Sequence, residues 1–126
     1  MNDKAIHPSP ITILLVEDEG EMCLLLNLIL DDKNLVVEHV NTLSDAGDFL
    51  QRKQPSLILL DNRLPDGYGF DFIGYLKSNY PDIKIIMISG IDKAAGDSAL
   101  EAGADIFLAK PFTRAELLQS VNSLLN

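Results

Sequence analysis

Five β-then-α units in strict alternation predict an α/β fold of the doubly wound (βα)5 kind, a five-stranded parallel sheet with helices on both faces. Three observations carry this. The apolar period switches repeatedly between two and about 3.6 along the chain. Two runs, at 57–60 and 85–88, are continuously apolar and rich in Ile and Leu, as central strands covered on both faces require. The third is size: 126 residues with 47% hydrophobic content suffice for one buried core.

Taken in order, residues 1–10 read as a flexible N-terminal arm, because Pro8 and Pro10 lack an amide donor and favour extended backbone. Strands are expected at 11–16, 35–40, 57–60, 84–88 and 105–109. Helices are expected at 19–32, 43–52, 70–79, 93–102 and 114–125. The second strand carries charge at Glu38 and His39, which places it at an edge. The last helix has a start signal, Thr113 followed by Glu116 as a capping box, with Leu117, Val121 and Leu124 behind it on one face. Right-handed crossovers leave few topologies, and the expected strand order is 2-1-3-4-5. Residues 11–126 read as one unit without repeat or linker.

A net charge of −9 argues against nucleic-acid binding by this domain, since phosphate backbones demand a basic face. Nothing resembles a signal peptide, and the longest apolar stretch, 22–30, is too short to span a bilayer. The lone Cys23 suits a reducing compartment and, among leucines, reads as a packed thiol. The expected setting is cytoplasmic.

Chemistry gathers at the strand ends. The first strand runs into Glu17 and Asp18, the third into Asp61, the fourth into Ser89 and the fifth into Lys110. In a parallel sheet these positions share one edge, and the strands ending near Asp18 and Asp61 meet at the switch point where open α/β sheets bind ligands. Three close carboxylates repel, so at least one pKa should rise unless a hard cation such as Mg2+ compensates. Lys110 offers a compact positive charge to a phosphoryl oxygen, and the Ser89 hydroxyl a donor to another. Asp61 is then placed to attack phosphorus. Each residue alone has a duller role: Asp18 as a helix cap, Ser89 as a turn residue before Gly90, Lys110 as a solvated lysine, Asp61 as the head of a turn. Four such coincidences at one sheet edge favour a site.

These residues resemble the receiver domain of bacterial response regulators, across essentially all of 11–126. Ile13-Leu14-Leu15-Val16-Glu17-Asp18-Glu19 is similar to the family's acidic opening. Leu57-Ile58-Leu59-Leu60-Asp61, with Pro65 four residues on and Gly69 eight on, is similar to its phosphorylation segment. Ile88-Ser89-Gly90 and Leu108-Ala109-Lys110-Pro111-Phe112 match the fourth and fifth strand ends. The resemblance implies that Asp61 accepts a phosphoryl group from a phosphohistidine on a sensor histidine kinase or histidine phosphotransfer protein. It implies Mg2+ bound by Asp18, Asp61 and the Arg63 backbone carbonyl, with Glu17 acting mostly through water. Ser89 and Lys110 would contact phosphoryl oxygens, Lys110-Pro111 would be cis, and Phe107 would be the aromatic switch. It further implies a phosphoacceptor signalling domain rather than an enzyme, a switching face on the fourth helix, fifth strand and fifth helix, and room for a phosphorylation-dependent homodimer. Glu17 departs from the family's commoner Asp, and Gly90 from its commoner Ala. Arg63 and Ile91 fall where the family tunes dephosphorylation. With no effector segment after Asn126, the expectation is a stand-alone relay protein or a receiver cut from a longer chain.

Two expectations come from the chain itself. On a helical wheel Met22, Leu25, Leu26 and Ile29 share the core face of the first helix, while Cys23, Leu24 and Leu28 lie off it, a patch suited to docking a helix of the phosphodonor. The helix at 93–102 contains Gly96, at about 1 kcal/mol relative to Ala, and is expected to move on phosphorylation as Phe107 turns inward. A phosphohydrolase of the haloacid-dehalogenase type needs a second Asp two positions after the nucleophile, where this chain has Arg63. A flavodoxin-like binder needs a Ser/Thr/Gly-rich loop where Glu17-Asp18-Glu19 stands, and the Gly-rich Lys-Ser/Thr loop of a nucleotide triphosphatase is missing. The alternative that survives is a degenerate receiver acting as a phosphorylation-independent binding module.

Overall fold

The computed structural model of the chain describes residues 10–90 and 93–125. Ile91, and the arm expected at 1–10 apart from Pro10, lie outside the described residues. The chain runs β1 (Ile11–Val16), α1 (Gly20–Ile29), β2 (Leu35–Val40), α2 (Leu43–Arg52), β3 (Leu57–Asp61), β4 (Arg63–Leu64), β5 (Gly67–Tyr68), α3 (Gly69–Asn79), β6 (Lys84–Ser89), α4 (Lys93–Ala102), β7 (Ile106–Ala109) and α5 (Arg114–Leu125). Five strands pair in parallel in the order β2-β1-β3-β6-β7. That is the expected 2-1-3-4-5 arrangement with the short antiparallel pair β4-β5 set aside.

Side chains alternate across the sheet, so each central strand feeds two cores. Ile13, Leu15, Leu57, Leu59, Ile86 and Ile88 pack with Leu26 and Ile29 of α1 and Leu117 and Val121 of α5. Leu14, Val16, Ile58, Leu60, Ile85 and Met87 pack with Phe49 of α2, Ile73 and Leu76 of α3 and Ala99 of α4. Burying one such side chain stabilises by about 1.5–3 kcal/mol. Covering both faces therefore demands the unbroken apolar runs of β3 and β6. Edge strand β2 is only half buried and tolerates Glu38 and His39.

Helix α1 stops at Ile29, short of the expected 32. Continuing would put Asp31 and Asp32 at the negative end of the helix dipole. Asp32 instead turns the chain into β2: its Oδ1 accepts from the Asn34 amide at 2.7 Å and its carbonyl from the Leu35 amide at 3.0 Å. Strand β7 starts one residue later than expected, because Asp105 spends its carboxylate on the Ile85 amide at 2.8 Å. The α5 capping box forms in both directions, Thr113 amide to Glu116 Oε1 at 2.8 Å and Glu116 amide to Thr113 Oγ1 at 3.0 Å.

The wheel of α1 needs correcting. Its buried stripe is Cys23, Leu26 and Ile29. Leu25, expected inside, is 43% exposed, while Cys23, expected outside with Leu24 and Leu28, is buried at 8%. The stripe is turned by about one position because the small thiol fits where α1 meets the end of β2. There Cys23 Sγ lies 2.9 Å from His39 Nε2.

Candidate functional site

Strand register assembles the site. Val16 pairs with Leu60, Asp61 with Ile88 and Ser89 with Ala109. One step past Val16, Glu17 comes level with Asp61, and its amide donates to Val40 O at 3.1 Å. One step past Ala109 comes Lys110, whose amide donates to Ser89 O at 2.9 Å. The Lys110-Pro111 bond is cis. The outcome is an open pocket of about 450 Å3 lined by Asp18, Glu19, Asp61, Arg63, Ser89, Gly90 and Lys110.

Carboxylate oxygens of Glu17, Asp18 and Asp61 all lie within 4.8 Å of one another. Glu17 and Asp61 are buried and Asp18 is exposed. Lys110 Nζ stands 3.1 Å from Asp61 Oδ1 and 3.6 Å from Glu17 Oε1. One ammonium against three carboxylates leaves two negative charges unbalanced if all are ionised. Burial pushes the Glu17 carboxyl above its usual range; the Glu19 amide, donating to Oε2 at 3.1 Å, pulls it down, and Asp61 pushes it up again. Burial alone would lower the Lys110 pKa, but the hydrogen bond to Asp61 and the charges of Asp61 and Glu17 outweigh it and hold the ammonium above its ordinary value. Hard oxygen donors, a charge deficit and an opening to solvent fit Mg2+, which takes few protein carboxylates and keeps waters.

The duller role for Asp18 loses support, since the α1 N-cap falls on Glu19 and no side chain caps that helix. Ser89 is buried at the end of β6, with Gly90 beside it in the pocket wall. Phe107 lies away from this pocket, half-buried, its ring against Gly96 of α4. Leu24 and Leu28 project to solvent from α1 at 63% and 67% exposure. Cys23 is not part of that surface.

Two residues shape the site through contacts that the sequence does not signal: Asn62, unremarked there, and Gly69, which entered only as a motif position. Asn62 is buried; its carbonyl accepts from the Gly69 amide at 2.7 Å and its Oδ1 from the Phe70 amide at 3.0 Å, so it fixes the start of α3 directly behind Asp61. An Asn seven residues before a helix carries no local signal for that bond. Gly69 is pressed onto the same strand end, where any Cβ would overlap the Asp61 carbonyl oxygen and crowd Leu60 Cγ at 2.9 Å.

The chain belongs to the response regulator receiver domain family, whose pattern it matches over residues 13–122. It is 34% identical over 115 residues to the response regulator protein PilR of Pseudomonas aeruginosa, covering 89% of this chain and 25% of that protein. It is 36% identical over 117 residues to the transcriptional regulatory protein GltR of the same organism, covering 90% of this chain and 48% of that protein. The chain thus spans a quarter to a half of these relatives. Among solved structures, the beryllofluoride-activated NtrC4 receiver domain dimer superposes with a TM-score of 0.84 at 31% identity, covering 90% of this chain and 94% of that one. The receiver domain of a signal transduction histidine kinase from Syntrophus aciditrophicus gives 0.81 at 32% identity, over 90% and 89%. Among the described residues no helix is long and apolar enough to cross a membrane.

Proposed function

We propose that the chain is a working phosphoacceptor domain of a two-component relay, with Asp61 as the residue that carries the phosphoryl group. The observation that carries this is Asp61 Oδ1 at 3.1 Å from Lys110 Nζ, inside a cluster of three carboxylates with oxygens within 4.8 Å. An Asp61 oxygen attacks the phosphorus of a phosphohistidine on a sensor kinase or phosphotransfer protein. The P–N bond breaks, its electron pair returns to the imidazole nitrogen, and an aspartyl phosphate remains. Glu17, Asp18, Asp61 and the Arg63 carbonyl would hold Mg2+, which when bound supplies positive charge to offset that on the phosphoryl oxygens. Lys110 gives up part of its pairing with Asp61 to meet an incoming oxygen, and Ser89 donates to another. The domain carries the group rather than turning over a substrate, in the cytoplasm, without binding nucleic acid itself.

Output on this reading passes through α4, β7 and α5, with Phe107 as the switching ring. That face would also serve a phosphorylation-dependent homodimer, as the NtrC4 receiver forms a dimer when beryllofluoride-activated. The apolar surface of Leu24 and Leu28 on α1 would take a helix of the phosphodonor. A degenerate receiver acting only by binding is disfavoured, because the carboxylate cluster, the hydroxyl and the lysine are all in place.

Intact-mass spectrometry tests the reading. Incubation with acetyl phosphate and Mg2+ should add about 80 Da, one PO3 unit. Asp61→Asn should abolish the adduct. An adduct that persists in Asp61→Asn, or never forms in the wild type, overturns it.

A further inference from the structure

The short hairpin after Asp61 is tied at its tip to a different helix. Arg63 pairs with Tyr68 and Leu64 with Gly67, leaving Pro65 and Asp66 in the turn. Asp66 Oδ1 accepts from the Leu43 amide and Oδ2 from the Ser44 amide, both at 2.9 Å. These are the first two amides of α2, which have no partner within the helix. Gly67, at φ +154°, packs beside them so closely that a Cβ would stand 3.2 Å from Leu43 Cδ1. At its base the hairpin is held by the Asn62 bonds to Gly69 and Phe70.

Helix α2 does not depend on Asp66 for a cap. Thr42, its N-cap, already accepts from the Asp45 amide at 3.0 Å through Oγ1. The bidentate contact instead spans more than twenty residues of sequence and joins the segment carrying Arg63 to a rigid element. A carboxylate on free helix amides is a charge-assisted bond favoured by the dipole. The same two amides hold the Asp66 carboxyl below its ordinary range, so it stays ionised at neutral pH.

We propose that Asp66 is a positioning residue: by clamping the hairpin tip to α2 it sets the Arg63 backbone in the wall of the acidic pocket and thereby tunes divalent-cation affinity. This rests on the metal-dependent reading given above. The experiment compares wild type with Asp66→Ala, Asp66→Asn and Thr42→Ala. Mg2+ is titrated while backbone amide shifts are followed by NMR, and 15N order parameters of residues 63–68 are recorded with no metal added. Asp66→Ala should weaken Mg2+ binding by about tenfold, at the lower end of what partners behind a metal site contribute, and should lower the hairpin order parameters. Asp66→Asn keeps one acceptor oxygen and should fall between. Thr42→Ala frays the same helix end without touching the hairpin, so it should lower Tm yet leave Mg2+ affinity within twofold. Equal affinity and order in wild type and Asp66→Ala overturns the clamp, as does an equal loss in Thr42→Ala. A wild type with no Mg2+ response would sink the metal reading, whereas the metal-free order parameters judge the clamp itself.

Discussion

Glu17 concentrates the electrostatic tension of the pocket. Its carboxyl lies above its ordinary value of 4.5 first because it is buried, and then because Asp61 and Asp18 stand near it. A carboxyl raised in the folded state contributes stability that is complete below the unfolded value and lost as pH climbs through the folded one. Without metal, this group therefore makes the protein less stable at neutral pH than at mildly acid pH. Glu17→Gln keeps an oxygen for the Glu19 amide and leaves Lys110 on Asp61. It should raise the metal-free Tm at pH 7 by about 3 °C, roughly what 1 kcal/mol yields at this size, and flatten the Tm between pH 5 and 7. Calorimetry in EDTA reads this, and a lower Tm at pH 7 would contradict it. All the strand-end positions of the candidate site were legible in sequence and one kind of neighbour was not, because a residue after an apolar run falls at the sheet edge whatever its neighbours do. The kind that was not legible is set by long-range contact. Cys23 turned inward because His39, sixteen positions away on β2, offers its Nε2 at 2.9 Å, and that ring nitrogen also lies 2.7 Å from Glu17 O.

Helix α4 shows how an element can differ from its propensity. In sequence, Gly96 reads as a weak point of about 1 kcal/mol. In the fold it is a seat: a Cβ there would lie 2.6 Å from Phe107 Cδ2 and 2.9 Å from Cε2. Phe107 also lines a groove of about 480 Å3 with Leu100, Pro111 and Glu116, so the ring has somewhere to go. Gly96→Ala gains helix propensity but must displace the ring, and overpacking of this kind costs about 1–3 kcal/mol. The expected result is a net loss of Tm with Phe107 ring shifts moved toward those of a solvent-facing phenylalanine. The same variant should respond less to beryllofluoride at the amides of residues 96–109, since ring and helix no longer move together. An unchanged response would separate Phe107 from α4. Element boundaries were legible where local chemistry sets them, as with the α5 capping box, and not where distant chemistry does. The β4-β5 hairpin has two-residue strands and no apolar period; Asp66 and Asn62 hold it through bonds to α2 and α3.

At the scale of the molecule, the doubly wound sheet was legible because β1, β3 and β6 must be apolar on both faces, and few α/β topologies bury three such strands together. What periodicity does not convey is which surplus leucines remain outside. Leu24 and Leu28 do, one turn apart on α1, with half-exposed Leu25 beside them. A net charge of −9 repels acidic partners at long range, so on the proposed reading the apolar surface of α1 would supply the close engagement that charge alone does not. Each leucine buried by a partner helix contributes about 1.5–3 kcal/mol. Leu24→Ser with Leu28→Ser should thus slow phosphoryl transfer from a protein phosphohistidine donor by about a hundredfold or more. Neither side chain lines the pocket, so labelling by acetyl phosphate should keep its rate. The two donors are compared on the same preparation by intact mass over time. Equal slowing with both would mean that the leucines support the fold of α1 rather than a partner, and the docking surface would have to be sought elsewhere.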